Sequence, residues 1–537
     1  MRLLMHRPRK KSIKNKRAPI AGLFFLCLDC LGITHRRSPP VHTQNDVDKN
    51  INLTLIEAGF SGIMANLITG VLLIKLALEL GATGVEIGLL GAFPFLCQFA
   101  QIPAVMLIAH FGRRRIFGLL GSAGYRLAAL GIIASPFMFE AEVALKLIVF
   151  LSFMQHFSGG FSTGAWNGWI RALIPEKKLG SVFGNRMFYF TLTGTIAAVV
   201  AAIGVDIGTA YNEAWTIPII QICFGLGLVA GMFSFYYYAR WPDVPAETAP
   251  PMAMIREFIL PLKDASFRKL IFFLLCLLFA FNLAVPFFTV YMLQVISLPV
   301  TYVMGFWALG QFMQVPFFRW WGMIADRFSH TAALGACLPF FVISLLLWPL
   351  TTLPEPHPYT IPVLILIHLL IGVGLSGVIL STQVIALKIA PREKASSYMA
   401  TSTMLSSLSA GVASIAGGYF VEKLDGYSLG LKFLWTTPAD ATAVVAYDMR
   451  NYDFLFVGAA ILILLIIPLL ATIKEEGKVR PEEIRKLMRS RAMGMFRSFT
   501  TVAGLRQLTT YPMSRVVERR KNHKLRALIN GDDKKDL

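Results

Sequence analysis

Apolar runs long enough to cross a membrane recur along this chain, each ended by a short polar stretch. In the first half they lie at about residues 53–78, 87–109, 116–138, 143–168, 187–205 and 216–239. A polar stretch rich in proline and charge extends from Ala239 to Lys269. Six further runs follow at about 270–294, 301–323, 331–352, 359–386, 397–421 and 452–473. An α-helix needs roughly 20 residues to cross the hydrocarbon core, so each run predicts one spanning helix. The expected fold is an all-α polytopic membrane protein with twelve transmembrane helices in two six-helix bundles. The chain then divides into a basic N-terminal tail (1–50), a first bundle (51–239), a linker (240–268), a second bundle (269–474) and a basic C-terminal tail (475–537).

Composition strengthens this reading. The chain has 537 residues, 55% hydrophobic and 15% charged, with mean hydropathy +0.60; soluble domains carry about 25% charge. Six scattered cysteines, Cys27, Cys30, Cys97, Cys223, Cys276 and Cys337, fit neither a disulfide framework nor a metal-ligand spacing. The net charge of +20 would suggest nucleic acid in a soluble protein. Its distribution argues otherwise. Arg113-Arg114-Arg115, Arg171 with Lys177-Lys178, Arg268-Lys269, Arg327, and Arg392 with Lys394 all fall on one side if helices alternate. The opposite loops hold Glu79, Glu86, Glu140, Glu142, Asp206, Glu213 and Glu355. Positive charge gathers on the cytoplasmic side of membrane proteins. Both termini are therefore expected in the cytoplasm of an inner or plasma membrane, with no nucleic-acid partner.

Residues 1–50 combine a basic run with a short apolar segment, Pro19 to Leu28, ended by Asp29 and Arg36-Arg37. No small-residue cleavage site follows, so a surface-lying segment or an extension upstream of the true start fits better than a signal peptide. Met252–Leu262 alternates apolar and charged residues at helical spacing and is expected to lie on the membrane surface. The basic tail from Glu482, with interleaved Phe496, Phe499, Leu505 and Leu508, suits anionic lipid.

The two halves repeat. Asn66-Leu67 returns as Asn282-Leu283, 216 residues later, and the loop around Pro175 returns around Pro391 at the same offset. Gln98-x-x-Gln101-x-Pro103 is echoed by Gln311-x-x-Gln314-x-Pro316. Parallel repeats of this kind are a transporter architecture. Between two runs of the second half stands Gly322-Met-Ile-Ala-Asp326-Arg327-Phe-Ser329-His330, a charged turn too short for anything but a tight hairpin at the membrane surface. There Gly322 is expected to allow close helix approach. This stretch resembles the loop signature of the major facilitator superfamily, G-x-x-x-D-R-x-G-R. It matches at Gly322, Asp326 and Arg327 and departs at Ser329 and His330. In the first half only Gly112-Arg113-Arg114 survives, with Ala109 or His110 in the acidic place. The resemblance covers residues 51–474. It implies that spans one, four, seven and ten line a central cavity, and that Gly322, Asp326, Arg327 and Arg113 serve gating, with Asp326 the better latch.

Polar side chains in mid-span mark the candidate site, because burying one without a partner is costly. Asn66 and Asn282 occupy equivalent places, and an amide can recognise a hydroxyl, carbonyl or amine; hydrogen bonding between helices is the rival role. The fourth run is the most polar, with Gln155, Gly159, Ser162 and Trp166 on one stripe and His156, Gly160, Thr163 and Asn167 on the next. His156 is a candidate proton carrier, its titration falling near neutrality; a neutral histidine satisfied inside the bundle is the plainer role. Pro286, Tyr291 and Gln294 suit a kinked, moving helix, with Tyr291 a cavity candidate. Arg126 requires a partner inside the bundle, Glu57 being one, and Lys75 is expected to snorkel outward.

No metalloprotease, P-loop or nucleophile-elbow motif occurs, so the chain is expected to be neither an enzyme nor an ATP-driven pump and to need no cofactor or metal. The expected function is a secondary active permease, monomeric, moving a small organic solute with protons as the candidate coupling ion. A lipid-handling permease and a non-transporting membrane sensor are the alternatives.

Overall fold

The computed structural model describes residues 44–473, except 245, 247–258, 353–354, 392–393 and 437–440. The expectations for the N-terminal segment before residue 44, for most of the amphipathic linker and for the C-terminal tail lie outside the described residues.

Among the described residues, twelve helical rods run in alternating directions. α1 is Gln44–Ile68 continued by Val71–Glu79 beyond Gly70, and α2 is Gly84–Leu96 continued through a tighter turn by Gln101–Phe111. α3 (Arg114–Met138), α4 (Ala141–Leu173), α5 (Glu176–Tyr211) and α6 (Thr216–Ala239) complete the first six. α7 (Ala265–Val290, then a π-turn Tyr291–Val295), α8 (Val300–Arg327) and α9 (His330–Leu347) follow. α10 (Thr360–Ile389), α11 (Ala395–Lys423) and α12 (Tyr452–Ile466) end the series. Eleven of these rods are long and apolar enough to cross a membrane. The other, α8, is 28 residues long and made less apolar by Gln311 and Gln314.

The ends of the rods follow local chemistry. Asp264 caps α7 by accepting from Ser266 N at 2.8 Å and Phe267 N at 3.3 Å. At the other end of the charged turn, Ser329 caps α9 by accepting from Ala332 N at 3.0 Å. The residue that breaks the superfamily pattern is therefore the one that starts the next helix. Gly112, at φ 71°, ends α2 in the left-handed conformation that a residue without Cβ adopts freely.

One element departs from the expectation. Between α11 and α12 the chain forms an antiparallel hairpin of β1 (Ser428–Thr436) and β2 (Ala441–Arg450), pairing Ser428 with Arg450 and Thr436 with Ala441. Its sequence is short, rich in Thr, Val and aromatic residues, and lacks helical periodicity, all of which favour strands. It marks one end of the helices, the hairpin face. The opposite end, bearing Arg113, Lys178 and Arg327, is the basic face.

Without a solvent-driven hydrophobic force between helices in lipid, close packing of small residues holds them together. One such close contact joins α2 to α11. A Cβ on Gly418 would meet the Gly84 carbonyl oxygen at 2.2 Å, and one on Gly88 the Ser414 carbonyl oxygen at 2.6 Å. Both contacts lie in the hairpin-face halves of the helices.

Candidate functional site

A cavity of about 500 Å³ lies between the halves, lined from α1, α2, α4, α5, α7 and α8. Asn66 and Asn282 both line it, brought together by the repeat. Each donates its amide to the carbonyl four residues back, Asn66 to Gly62 at 3.1 Å and Asn282 to Leu278 at 2.9 Å. Neither carbonyl oxygen accepts a bond among the described residues, so each retains one acceptor. His156 lines the same cavity. Its Nδ1 lies 2.8 Å from the Ser152 carbonyl oxygen. A carbonyl only accepts, so Nδ1 carries the hydrogen and Nε2 is left as acceptor.

Three other cavity candidates stand elsewhere. Gln155 is fully buried and absent from the wall, one helical step from His156 and turned into the bundle. Tyr291 is 1% exposed; its hydroxyl bonds Thr352 Oγ1 at 2.8 Å, and its ring packs on Trp348 and Phe456. It lies beyond Pro286, where α7 runs on unbroken before the π-turn, too far toward the hairpin face to meet the cavity. Trp166 lines a separate pocket nearer the basic face. The tenth helix is also missing from the cavity wall. A Cβ on Gly372 would meet Gly310 O at 2.5 Å, so α10 packs flush on α8 and is screened by it.

Sequence reasoning missed Thr69, Thr289, Trp307 and Gln311 on the wall. Trp307 Nε1 donates to Thr289 Oγ1 at 3.1 Å. Gln311 belonged to the repeated Gln-x-x-Gln pattern, which was the available signal.

The hairpin face is closed by two carboxylates, each bonded across the halves. Asp206, at the end of α5, accepts from Val300 N at 2.8 Å and Thr301 N at 2.7 Å, the first amides of α8. Glu422, at the end of α11, accepts from Val85 N at 2.8 Å at the start of α2. Asp206 and Glu422 are 216 residues apart, as are Val85 and Thr301. The internal repeat therefore carries the same latch twice: a carboxylate on the positive end of a helix dipole.

At the basic face Asp326 and Arg327 are exposed at the end of α8, and Arg327 lies 5.6 Å from the Phe328 ring. Asp326 has no partner among the described residues. Gly322 does not mediate a close approach: the nearest atom to a Cβ there is Leu380 Cδ2 at an ordinary 3.8 Å, because that leucine spaces α8 from α10. Arg113 is exposed at the start of α3, near Asp243. Burial raises the Asp243 carboxyl above its usual range, opposed by Arg115 and Arg113. Lys75 pairs with Glu79 at 2.5 Å. Glu57 pairs with Arg186 at 3.1 Å, and Arg126 reaches it only through Ser234.

Long antiparallel helices in two repeated halves, with a cavity between them and their charges kept to the ends and one internal cluster, define a polytopic membrane transporter. The Major Facilitator Superfamily model matches residues 55–414, and the chain belongs to that family. Solved structures with similar folds include the nucleoside transporter NupG, at 12% identity and TM-score 0.56 over 80% of this chain and 99% of that one. A POT family transporter in complex with a thioalcohol-conjugated peptide gives 14% identity and TM-score 0.57 over 80% and 97%. A bacterial homologue of the iron transporter ferroportin, in an inward-facing state, gives 12% and 0.57 over 80% and 99%. At these identities the likeness is one of fold. No curated protein matches the chain.

Proposed function

We propose that this protein is a secondary active transporter that carries a small organic solute through the central cavity by alternating access. The observation that carries the reading is the cavity itself: it sits between the repeated halves, with Asn66 and Asn282 at equivalent places on its wall. Its hairpin face is shut by the paired Asp206 and Glu422 latches. The basic face is the cytoplasmic one, with both termini on that side of an inner or plasma membrane, because positive charge gathers there. The state described is then inward-facing, its outer gate closed and Asp326 unlatched. Solute binding draws on two amide oxygens, the Trp307 ring and the Gln311 amide, a mixture suited to a polar organic molecule. His156, with Nε2 free, is the candidate for proton coupling.

Counterflow in proteoliposomes tests this reading. Vesicles loaded with one of a panel of organic solutes should exchange a labelled solute, and Asn66→Ala with Asn282→Ala should abolish the exchange. Exchange that survives both substitutions at the parent rate would remove the cavity from the transport path.

A further inference from the structure

A second pocket of about 280 Å³ lies inside the first half, toward the basic face, and Ala65 lines both it and the central cavity. Its charges do not balance. Glu57 is the one carboxylate on its wall, facing two guanidiniums, Arg126 and Arg186. Arg186 Nη2 donates to Glu57 Oε2 at 3.1 Å, with the two side chains 16% and 8% exposed. The other carboxylate oxygen accepts from Ser234 at 3.2 Å. Arg126 spends its donors elsewhere, on Gly231 O at 2.7 Å, on Ser122 O and Oγ at 2.7 and 2.6 Å, and on Ser234 Oγ at 3.3 Å. Neither guanidinium gives up its proton, so one positive charge is left over within the bundle.

The hydrogen-bond count is unbalanced in the same sense. Among the described residues, Arg186 Nε and Trp166 Nε1 are buried without a hydrogen-bond partner, and the Tyr238 hydroxyl has only the Ser162 side chain beside it. All three residues line the pocket, and Tyr238 is only 4% exposed. The Arg186 guanidinium lies over the Trp166 ring, 4.6 Å from its centroid, which holds the two together. Leaving buried donors unmade is costly, and an oxyanion satisfies donors and excess charge at once.

We infer that this pocket is an anion subsite, receiving a carboxylate or phosphate group on Arg186, Trp166 and Tyr238. As part of the transport path it rests on the function proposed above and narrows the solute to one bearing a single anionic group. The same chemistry is offered by the headgroup of an anionic lipid entering from the membrane.

The test is thermal unfolding and calorimetry of the purified full-length protein with benzoate and inorganic phosphate, against benzamide and benzylamine as neutral and cationic controls. The anions should bind and the controls should not. Arg186→Lys keeps the charge but loses the unmade Nε donor, and should weaken benzoate about tenfold. Glu57→Gln removes the competing carboxylate and should tighten it about tenfold. Trp166→Phe keeps the ring, removes one donor and should weaken it severalfold. Equal stabilisation by benzoate and benzamide, or binding of benzoate at parental strength in both Arg186→Lys and Glu57→Gln, would overturn the subsite. In nanodiscs, stabilisation by phosphatidylglycerol over phosphatidylcholine, lost in Arg186→Lys and without any response to soluble anions, assigns the site to a lipid headgroup. No selective response to either anion source overturns it. Counterflow separates the two readings: exchange of an uncharged solute without binding of either a soluble anion or an anionic lipid sinks the subsite alone, while anion binding without any exchange sinks the transport reading alone.

Discussion

Replacing Asp206 and Glu422 by alanine should release the hairpin face. Asp206 is half-buried and accepts two amides at the start of α8, at 2.8 and 2.7 Å. Glu422 is exposed and accepts one at the start of α2, at 2.8 Å. A carboxylate at a helix N-terminus contributes roughly 0.3–1 kcal/mol when exposed and up to about 2 kcal/mol when partly buried. On that scale Asp206 holds the face shut by about 1.5 kcal/mol and Glu422 by about 0.5 kcal/mol. If both resist one rigid-body opening their contributions add to about 2 kcal/mol, a shift of roughly 30-fold in the open population. The readout is a single cysteine, Thr69→Cys, on the cavity wall in a background without the native cysteines. A membrane-impermeant maleimide is added from the hairpin side. Labelling should rise about twofold in Glu422→Ala, about tenfold in Asp206→Ala and about 30-fold in the double variant. A double variant that stays folded yet labels at the parent rate would refute the reasoning and leave the carboxylates as helix caps only.

Other outcomes follow from the same geometry. Asn66→Leu and Asn282→Leu should each cut counterflow at least about tenfold while costing under about 1 kcal/mol in thermal unfolding, since each amide bonds only its own helix. Arg186→Gln removes the direct ion pair of buried Glu57, leaving it to Ser234 and the more distant Arg126, and should destabilise by about 3 kcal/mol. Adding Glu57→Gln should recover most of that loss in the same melting assay. Gly418→Val places a Cβ against the Gly84 carbonyl and should raise maleimide labelling as the latch variants do, whereas Gly322→Ala meets nothing closer than 3.8 Å and should behave as the parent. If His156 carries the coupling proton, His156→Gln should abolish uptake driven by a pH gradient while exchange at equal pH persists.

The helices and the repeat were legible because both rest on local pattern: apolar length for the spans, and a constant offset for the halves. That offset gives Asn66 and Asn282 equivalent places on the first and seventh spans, and the family resemblance implies that those spans line the cavity. The same offset separates Asp206 from Glu422, but their shared role emerged only from the structure, because an acid at a helix end carries no mark of its partner. Facing was harder to read. Gln155 and His156 are adjacent polar residues on a helix surrounded by helices, and in an apolar environment a stripe that lines a cavity looks like one that packs a neighbour. Glu57 was one candidate partner for Arg126, which reaches it through Ser234; its direct partner Arg186, low on α5, sits outside the apolar run read for that span.

The sequence by itself determined that this chain crosses the membrane many times, that its second half repeats its first, and which end carries the positive charge. These follow from hydrophobic length, spacing and the cost of buried charge, all properties of single segments. Tertiary structure alone decided which polar groups meet: the carboxylates on the helix ends of the opposite half, and two guanidiniums around one carboxylate. Such meetings depend on how rigid helices rotate and slide against one another. In lipid that is set by the fit of small residues such as Gly84 on Gly418, a matter of shape that no single segment records.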